Sequence, residues 1–267
     1  MSHALRTPEG APVFHSAVTT PVGGLADKLR ATGLVTVDQL MTRSSVTAFA
    51  ARLMRVTPHR DSDPRDGLTL IYDTQRHAGR LGYAGLTRRE LAPHTERSGV
   101  ARPPRLMLLV CASQAVMGGE CLLTDGQAVH ADLACQAPEA LDALRTARTA
   151  YFGGADGHAG QVFTRHGEGR VSLRLRMDAL ARWSPLVKPH VPLLEAAIRR
   201  HQITLPLMAG QGYLIDNSRW LHARNSFAGG RLCWRALGEP LPALGHLPPG
   251  FSSAATAPVP AAPEAVS

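Results

Sequence analysis

Lysine is almost absent from this sequence. Only Lys28 and Lys188 occur in 267 residues, so 27 of the 29 Lys and Arg side chains are arginine. Against 21 Asp and Glu the formal charge is +8. Arginine keeps its charge at any working pH and presents a planar fork to carboxylates and phosphates. Such a chain suits nucleic acid, an acidic partner or a small acidic substrate, and it is equally what a GC-rich genome produces. Aromatic residues are also scarce, at 5%. No basic run is interleaved with them, which argues against a stacking platform for single-stranded nucleic acid. Cys111, Cys121, Cys135 and Cys233 form no CxxC pair. That argues against a zinc knot or a disulfide framework and fits reduced thiols in a cytoplasmic protein. The longest strongly apolar run, 106–112, is far too short to span a membrane. The first residues, MSHALRTPEG, lack the apolar core of a secretory signal. No GxxxxGK(S/T) or GxGxxG context supports a nucleotide.

What is present is enough apolar material for a core, 44% of the chain, which excludes global disorder. The N-terminal part reads as helical. Leu25 and Leu29 sit four apart before Gly33, and Ser44 or Ser45 is placed to cap a helix carrying Phe49, Leu53 and Met54. Then the texture becomes β. Expected strands are Leu68–Tyr72, Arg105–Cys111, Glu120–Thr124, Ile203–Leu207, Gly212–Asp216 and Arg231–Leu237. A hairpin is expected around His166-Gly-Glu-Gly169. Helices are expected over 127–150, with Pro138 near a start, and over 191–201. Gly118-Gly119 reads as a turn with a backbone requirement. There is no internal repeat. The fold class is mainly β with helical decorations, a jelly roll, in one domain over residues 1–251. Residues 252–267 read as a disordered Pro/Ala-rich tail.

The sharpest local feature is Pro93-His94-Thr95-Glu96. On a strand, residues two apart share a face, so His94 and Glu96 present an imidazole and a carboxylate to one point. His222, after a strand in the run 216–227, supplies a second imidazole. Two histidines and one carboxylate on three corners of an octahedron suit Fe(II) with open positions. A lone H-x-E is more often a surface or structural pair than a metal site.

Together, PHTE (93–96), RPPRLMLLVC (102–111), GGECLLTDG (118–126), DNSRWLHARNSF (216–227) and RLCWR (231–235) resemble the taurine dioxygenase / clavaminate synthase-like family. The resemblance runs from about residue 70 to 237. It implies a double-stranded β-helix that uses Fe(II), 2-oxoglutarate and O₂. It implies that His94, Glu96 and His222 are the metal ligands and that Arg231 grips the far carboxylate of 2-oxoglutarate. Arg235 shares a strand face with Arg231 and matches an arginine that holds an acidic substrate group in several relatives; a solvated strand face is the other reading. Family members often carry Thr where this chain has Cys121, a poorer donor. Co-substrate binding then leans on Arg231, or on Thr124 or a water. Asp216, Asn217 and Arg219 are read as fixing the turn and orienting His222, or as turn chemistry alone.

The expected activity is that of a hydroxylating dioxygenase, because related halogenases lack the carboxylate matched by Glu96. The substrate class implied is a small amino acid or amino-acid-derived acid of specialised metabolism. Tyr83, Gln75 and Arg88 are the pocket candidates beside Arg235. A carrier-protein-bound substrate is an alternative, since an acidic carrier suits a basic surface. Rival readings are a desaturase or cyclase with the same chemistry, a non-catalytic β-helix protein that binds a small acid or an acidic partner, and a nucleic-acid-modifying oxygenase.

Overall fold

The computed structural model of the protein describes residues 14–253. Two helices come early. Leu25, Ala26 and Leu29 form the buried stripe of α1 (Val22–Thr32), which ends where Gly33 turns left-handed at φ 68°. α2 (Arg43–Leu53) is capped by Thr42 rather than by Ser44 or Ser45. Thr42 Oγ1 accepts from the Ser45 N–H at 3.0 Å, and Ser45 Oγ accepts from the Thr42 N–H at 3.1 Å. Ser45 is thus the reciprocal partner of the cap, not the cap itself.

Both helices cover one face of a seven-stranded sheet. Its order is His15–Ser16, Leu34–Asp38, Gly212–Asp216, Leu106–Ser113, Leu232–Pro240 and Met54–Val56, with Thr69–Ile71 also paired to Leu232–Pro240. The central strand Leu106–Ser113 is buried on both sides. Leu106, Leu108 and Val110 pack toward α1 and α2, while Met107, Leu109 and Cys111 face a second sheet. That double burial is why its sequence is an unbroken apolar run. The second sheet has four antiparallel strands in the order Gln202–Leu205, Cys121–Asp125, Trp220–Arg224, Leu91–His94. Leu123, Leu205, Tyr213, Ile215, Trp220 and Cys233 fill the layer between the sheets. A further core lies behind the small sheet, where α3 (Gly126–Gln136), α4 (Pro138–Arg145) and α5 (Val191–Arg200) pack on Phe152, Phe163 and Leu221. The protein is mainly β with helices on the outside.

Several expected elements differ in detail. The helical stretch over 127–150 is two helices, broken at Ala137 by Pro138 in the first turn of α4, and Ala150–Phe152 is a strand. The hairpin is as expected, with Phe163–Arg165 paired to Arg170–Leu173. Of the tail expected over 252–267, Ser252 pairs with Arg170 and the Ser253 N–H donates to Gly169 O. The remainder lies outside the described residues. No helix among the described residues is long and apolar enough to cross a membrane.

Several arginines are tied into the fold. Arg105 pairs with both oxygens of Asp216, at 2.9 and 2.8 Å, and donates to Pro248 O at 2.6 Å. Arg170 donates to Gly250 O at 2.6 Å, and Arg174 to Val100 O and Ala101 O at 2.9 and 3.0 Å. Arg219 pairs with Asp125 and donates to Ala31 O at 3.0 Å. Each guanidinium satisfies carbonyls that have no ladder partner, those of loops or, for Arg219, that of the last turn of α1.

His130 is buried edge-on to Phe163 and Phe251, and Arg145 Nη2 lies 2.7 Å from its Nε2. Nε2 therefore accepts and the ring is neutral. Burial, then the Arg145 charge, push its pKa from 6.5 down to about 4. The unfolded chain takes up this proton as pH falls below 6.5, and the folded chain does not until about pH 4, so stability is lost across that window. Thermal midpoints measured from neutral pH downward should begin to fall near 6.5. His130→Gln, which keeps an acceptor for Arg145, should flatten part of that fall. An unchanged profile in the variant would contradict this assignment.

Candidate functional site

A cavity of about 460 Å³ lies between the two sheets, within the range of ligand sites. Leu109, Tyr213 and Arg235 come to it from the large sheet, and Cys121, His222 and Arg224 from the small one. Residues 82–86 add a loop wall.

His222 lies within a strand, Trp220–Arg224, not after one. Its Cα partner across the ladder is His94, the last residue of Leu91–His94. The two rings meet with centroids 4.0 Å apart. Glu96 arrives by a route other than the expected strand face. The strand stops at His94, and Glu96 sits in the following turn, ahead of Arg97 at φ 54°. Asn217 fixes it there. Asn217 Oδ1 accepts the Glu96 N–H at 2.6 Å, and Nδ2 donates to Glu96 O at 3.0 Å and Pro104 O at 2.8 Å. Asn217 thus steadies Glu96, while Asp216 and Arg219 take Arg105 and Asp125.

One ligand-type atom of each of His94, Glu96 and His222 lies within 4.8 Å of the other two. His94 Nδ1 is 2.9 Å from Ala92 O, so it carries the proton and leaves Nε2 as a lone pair. His222 Nε2 is 3.7 Å from Glu96 Oε2, and its Nδ1 is buried with no partner among the described residues. Burial lowers the pKa of both histidines, that of His222 well below its ordinary value. Burial pushes the Glu96 carboxyl up, but the Arg235 guanidinium, joined by His222, His94 and His59, together outweighs it and holds it at about 2. Two neutral imidazoles and a carboxylate converging on one buried point form a donor set that fits a divalent transition metal.

The other sequence-read residues divide. Arg231 is buried on the same cavity, with Nη2 3.5 Å from Cys121 Sγ. Burial pushes the Cys121 thiol up to about 11, so it stays neutral. Arg235 lines the cavity, but its Nη1 donates to Glu96 Oε2 at 2.6 Å, so it grips the carboxylate as well as facing the space beyond. Tyr83 is on the wall. Thr124 is not among the wall residues. It is out of phase with Cys121, and strand alternation turns it to the opposite face. Gln75 and Arg88 are also away from the wall. Gln75 is exposed in a turn at φ 60°, and Arg88 is exposed and paired with Asp73 at 3.0 Å. Sequence reading missed His59, Asp178 and Arg224 on the wall. Only Arg224 carried a signal, its two-residue spacing from His222.

A family model described as "Taurine catabolism dioxygenase TauD, TfdA family" matches residues 6–237. No curated protein matches the chain. Among solved structures, asparagine oxygenase in complex with Fe(II), 2S,3S-3-hydroxyasparagine and succinate superposes with a TM-score of 0.68 at 14% identity, over 81% of this chain and 77% of that one. The non-heme iron oxygenase OrfP in complex with Fe and alpha-ketoglutaric acid gives 0.60 at 15%, over 83% and 81%. PvcB from Pseudomonas aeruginosa gives 0.64 at 17%, over 85% and 83%. At these identities the likeness is one of fold.

The clasp on Glu96 can be tested alone. Asn217→Ala should weaken binding of a divalent probe such as Mn²⁺ by about 10–100-fold, as loss of a group that orients a ligand does, with the far-UV spectrum unchanged. Equal affinity in calorimetry would show that Asn217 only shapes the turn.

Proposed function

The chain belongs to the taurine catabolism dioxygenase TauD, TfdA family of Fe(II)- and 2-oxoglutarate-dependent dioxygenases, and we propose that it hydroxylates an unactivated C–H bond of a small amino acid or amino-acid-derived acid. The observation that carries this reading is the convergence of His94, Glu96 and His222 on a cavity that also holds the buried Arg231. The two facing sheets support reading the fold as a double-stranded β-helix, and the pairing of Phe251 with Val171 supports a catalytic domain that reaches at least to residue 251. Hydroxyasparagine and hydroxyarginine complexes of the structural neighbours support the amino-acid class. Free, buried Cys111, Cys121 and Cys233 fit a cytoplasmic setting.

His94, Glu96 and His222 are the residues that would hold Fe(II). With 2-oxoglutarate and O₂ the metal would supply oxidative decarboxylation to succinate and CO₂, coupled to C–H oxidation. The remaining work belongs to the chain. Arg231 offers a permanent, forked cation to the far carboxylate of the co-substrate. Cys121 stands beside it as a neutral thiol and adds little as a donor. Arg235 steadies Glu96 and presents the rest of its guanidinium to an acidic group of the substrate. Leu109, Ile71 and Tyr213 form an apolar wall that limits water. Glu96 as third ligand favours hydroxylation over halogenation.

The test is a screen of free amino acids, and the same acids loaded on a carrier protein, with Fe(II), ascorbate and 2-oxoglutarate. One substrate should release succinate and gain one oxygen atom. His94→Ala and Glu96→Ala should abolish turnover. Arg231→Ala should raise the KM for 2-oxoglutarate at least about tenfold, as loss of a charge-assisted hydrogen bond worth about 1.5–3 kcal/mol requires. A product short of two hydrogens would move the reading to desaturation or ring formation. Turnover that survives His94→Ala would overturn the site.

A further inference from the structure

Among the described arginines on the cavity wall, Arg224 has the most buried guanidinium nitrogens without a hydrogen-bond partner. It is buried at 4% exposure, two residues beyond His222 on the same strand. Its Nη2 donates to three carbonyls of one loop, Ala84 O at 3.2 Å, Thr87 O at 2.9 Å and Arg89 O at 2.6 Å. Its Nε and Nη1 are buried and have no hydrogen-bond partner among the described residues. Its Cζ lies 4.6 Å from the centroid of the Phe227 ring, and Arg231 Cζ lies 6.0 Å from the same ring. The ring takes the guanidinium face but no in-plane N–H.

Two buried guanidiniums therefore flank one aromatic ring, and among the described residues neither is in an ion pair with a carboxylate. A neutral thiol, Cys121, is the ladder partner of Arg224 and lies 3.5 Å from Arg231 Nη2. Burial and the charge of Arg231 bring the Arg224 guanidinium down to about 10. Paired buried cations without a counter-charge are costly, and this pair sits where a carboxylate is already required by the proposed reaction. We propose that Arg224 is a second cation for the far carboxylate of 2-oxoglutarate, and that through its three carbonyl bonds it couples occupancy of that site to the order of residues 84–89. Arg224 thereby makes up for the weak donor at Cys121. The same loop forms one wall of the cavity, so the coupling would shape the substrate side only when co-substrate is in place. This inference rests on the 2-oxoglutarate reading above.

The test compares two keto acids on anaerobic, Fe(II)-loaded protein by calorimetry. 2-Oxoglutarate has the far carboxylate and 2-oxobutyrate lacks it. In Arg224→Gln, affinity for 2-oxoglutarate should fall about tenfold or more, with 2-oxobutyrate nearly unchanged. Arg224→Lys keeps charge and loses the fork, and should fall between. Hydrogen exchange should show amides 84–89 gaining protection when 2-oxoglutarate binds the wild type, and no gain in Arg224→Gln. Should Arg224→Gln fail to fold, the ratio of the two affinities in Arg224→Lys and the wild-type exchange carry the test. Equal weakening of both keto acids, or an unchanged 2-oxoglutarate affinity, would overturn the proposal and leave Arg224 a loop tether. Wild-type protein that binds no 2-oxoglutarate would instead overturn the co-substrate reading itself.

Discussion

His222 and His94 are direct partners across two antiparallel strands. A slip of one residue in such a ladder turns every side chain to the other face, so the cavity exists only in this register. It is held from both sides. Along its other edge the strand Trp220–Arg224 pairs residue for residue with Cys121–Asp125. At its start the Trp220 Nε1–H donates to Thr32 O at 2.7 Å, and Arg219 is locked on Asp125. Once the register is set, alternation delivers Trp220 to the inter-sheet core and His222 and Arg224 to the cavity. The site is thus a consequence of strand pairing, and only Glu96 needs a separate device, the Asn217 clasp.

The arginine excess has a physical use beyond solvation. Arg105, Arg170, Arg174 and Arg224 all donate to backbone carbonyls of irregular segments, and Arg219 to the last turn of α1. A sheet pair with long connections leaves many such carbonyls, and the forked, always-charged guanidinium can bind two or three at once. The same property serves the cavity, where Arg231 and Arg235 present their forks although buried or nearly so. Composition alone did not separate these uses, because all of them draw on the same side chain.

The parts legible in the sequence were those set by local pattern. The buried strand at 106–113, the Gly33 stop, the 166–169 hairpin and the strand at 212–216 follow from periodicity and turn chemistry. His94, Glu96, His222 and Arg231 were legible as motif residues, and they do share one cavity. What escaped depends on contacts distant in sequence. Asn217 reaches Glu96 across 121 residues, and no spacing signals that. Thr124 looked available until its phase with Cys121 was fixed by the pairing with Leu221. Gln75 and Arg88 precede the metal motif in sequence, yet the loop carries their side chains outward. Arg235 was read for its strand face, whereas its charge is shared with Glu96.

The most direct measurement is visible absorption of the Fe(II)-loaded protein titrated anaerobically with 2-oxoglutarate. The site geometry predicts an iron-dependent charge-transfer band that saturates at one equivalent per chain and is lost in His222→Ala. Iron bound without any such band, or a band of full strength in His222→Ala, would contradict the placement of metal and co-substrate in this cavity.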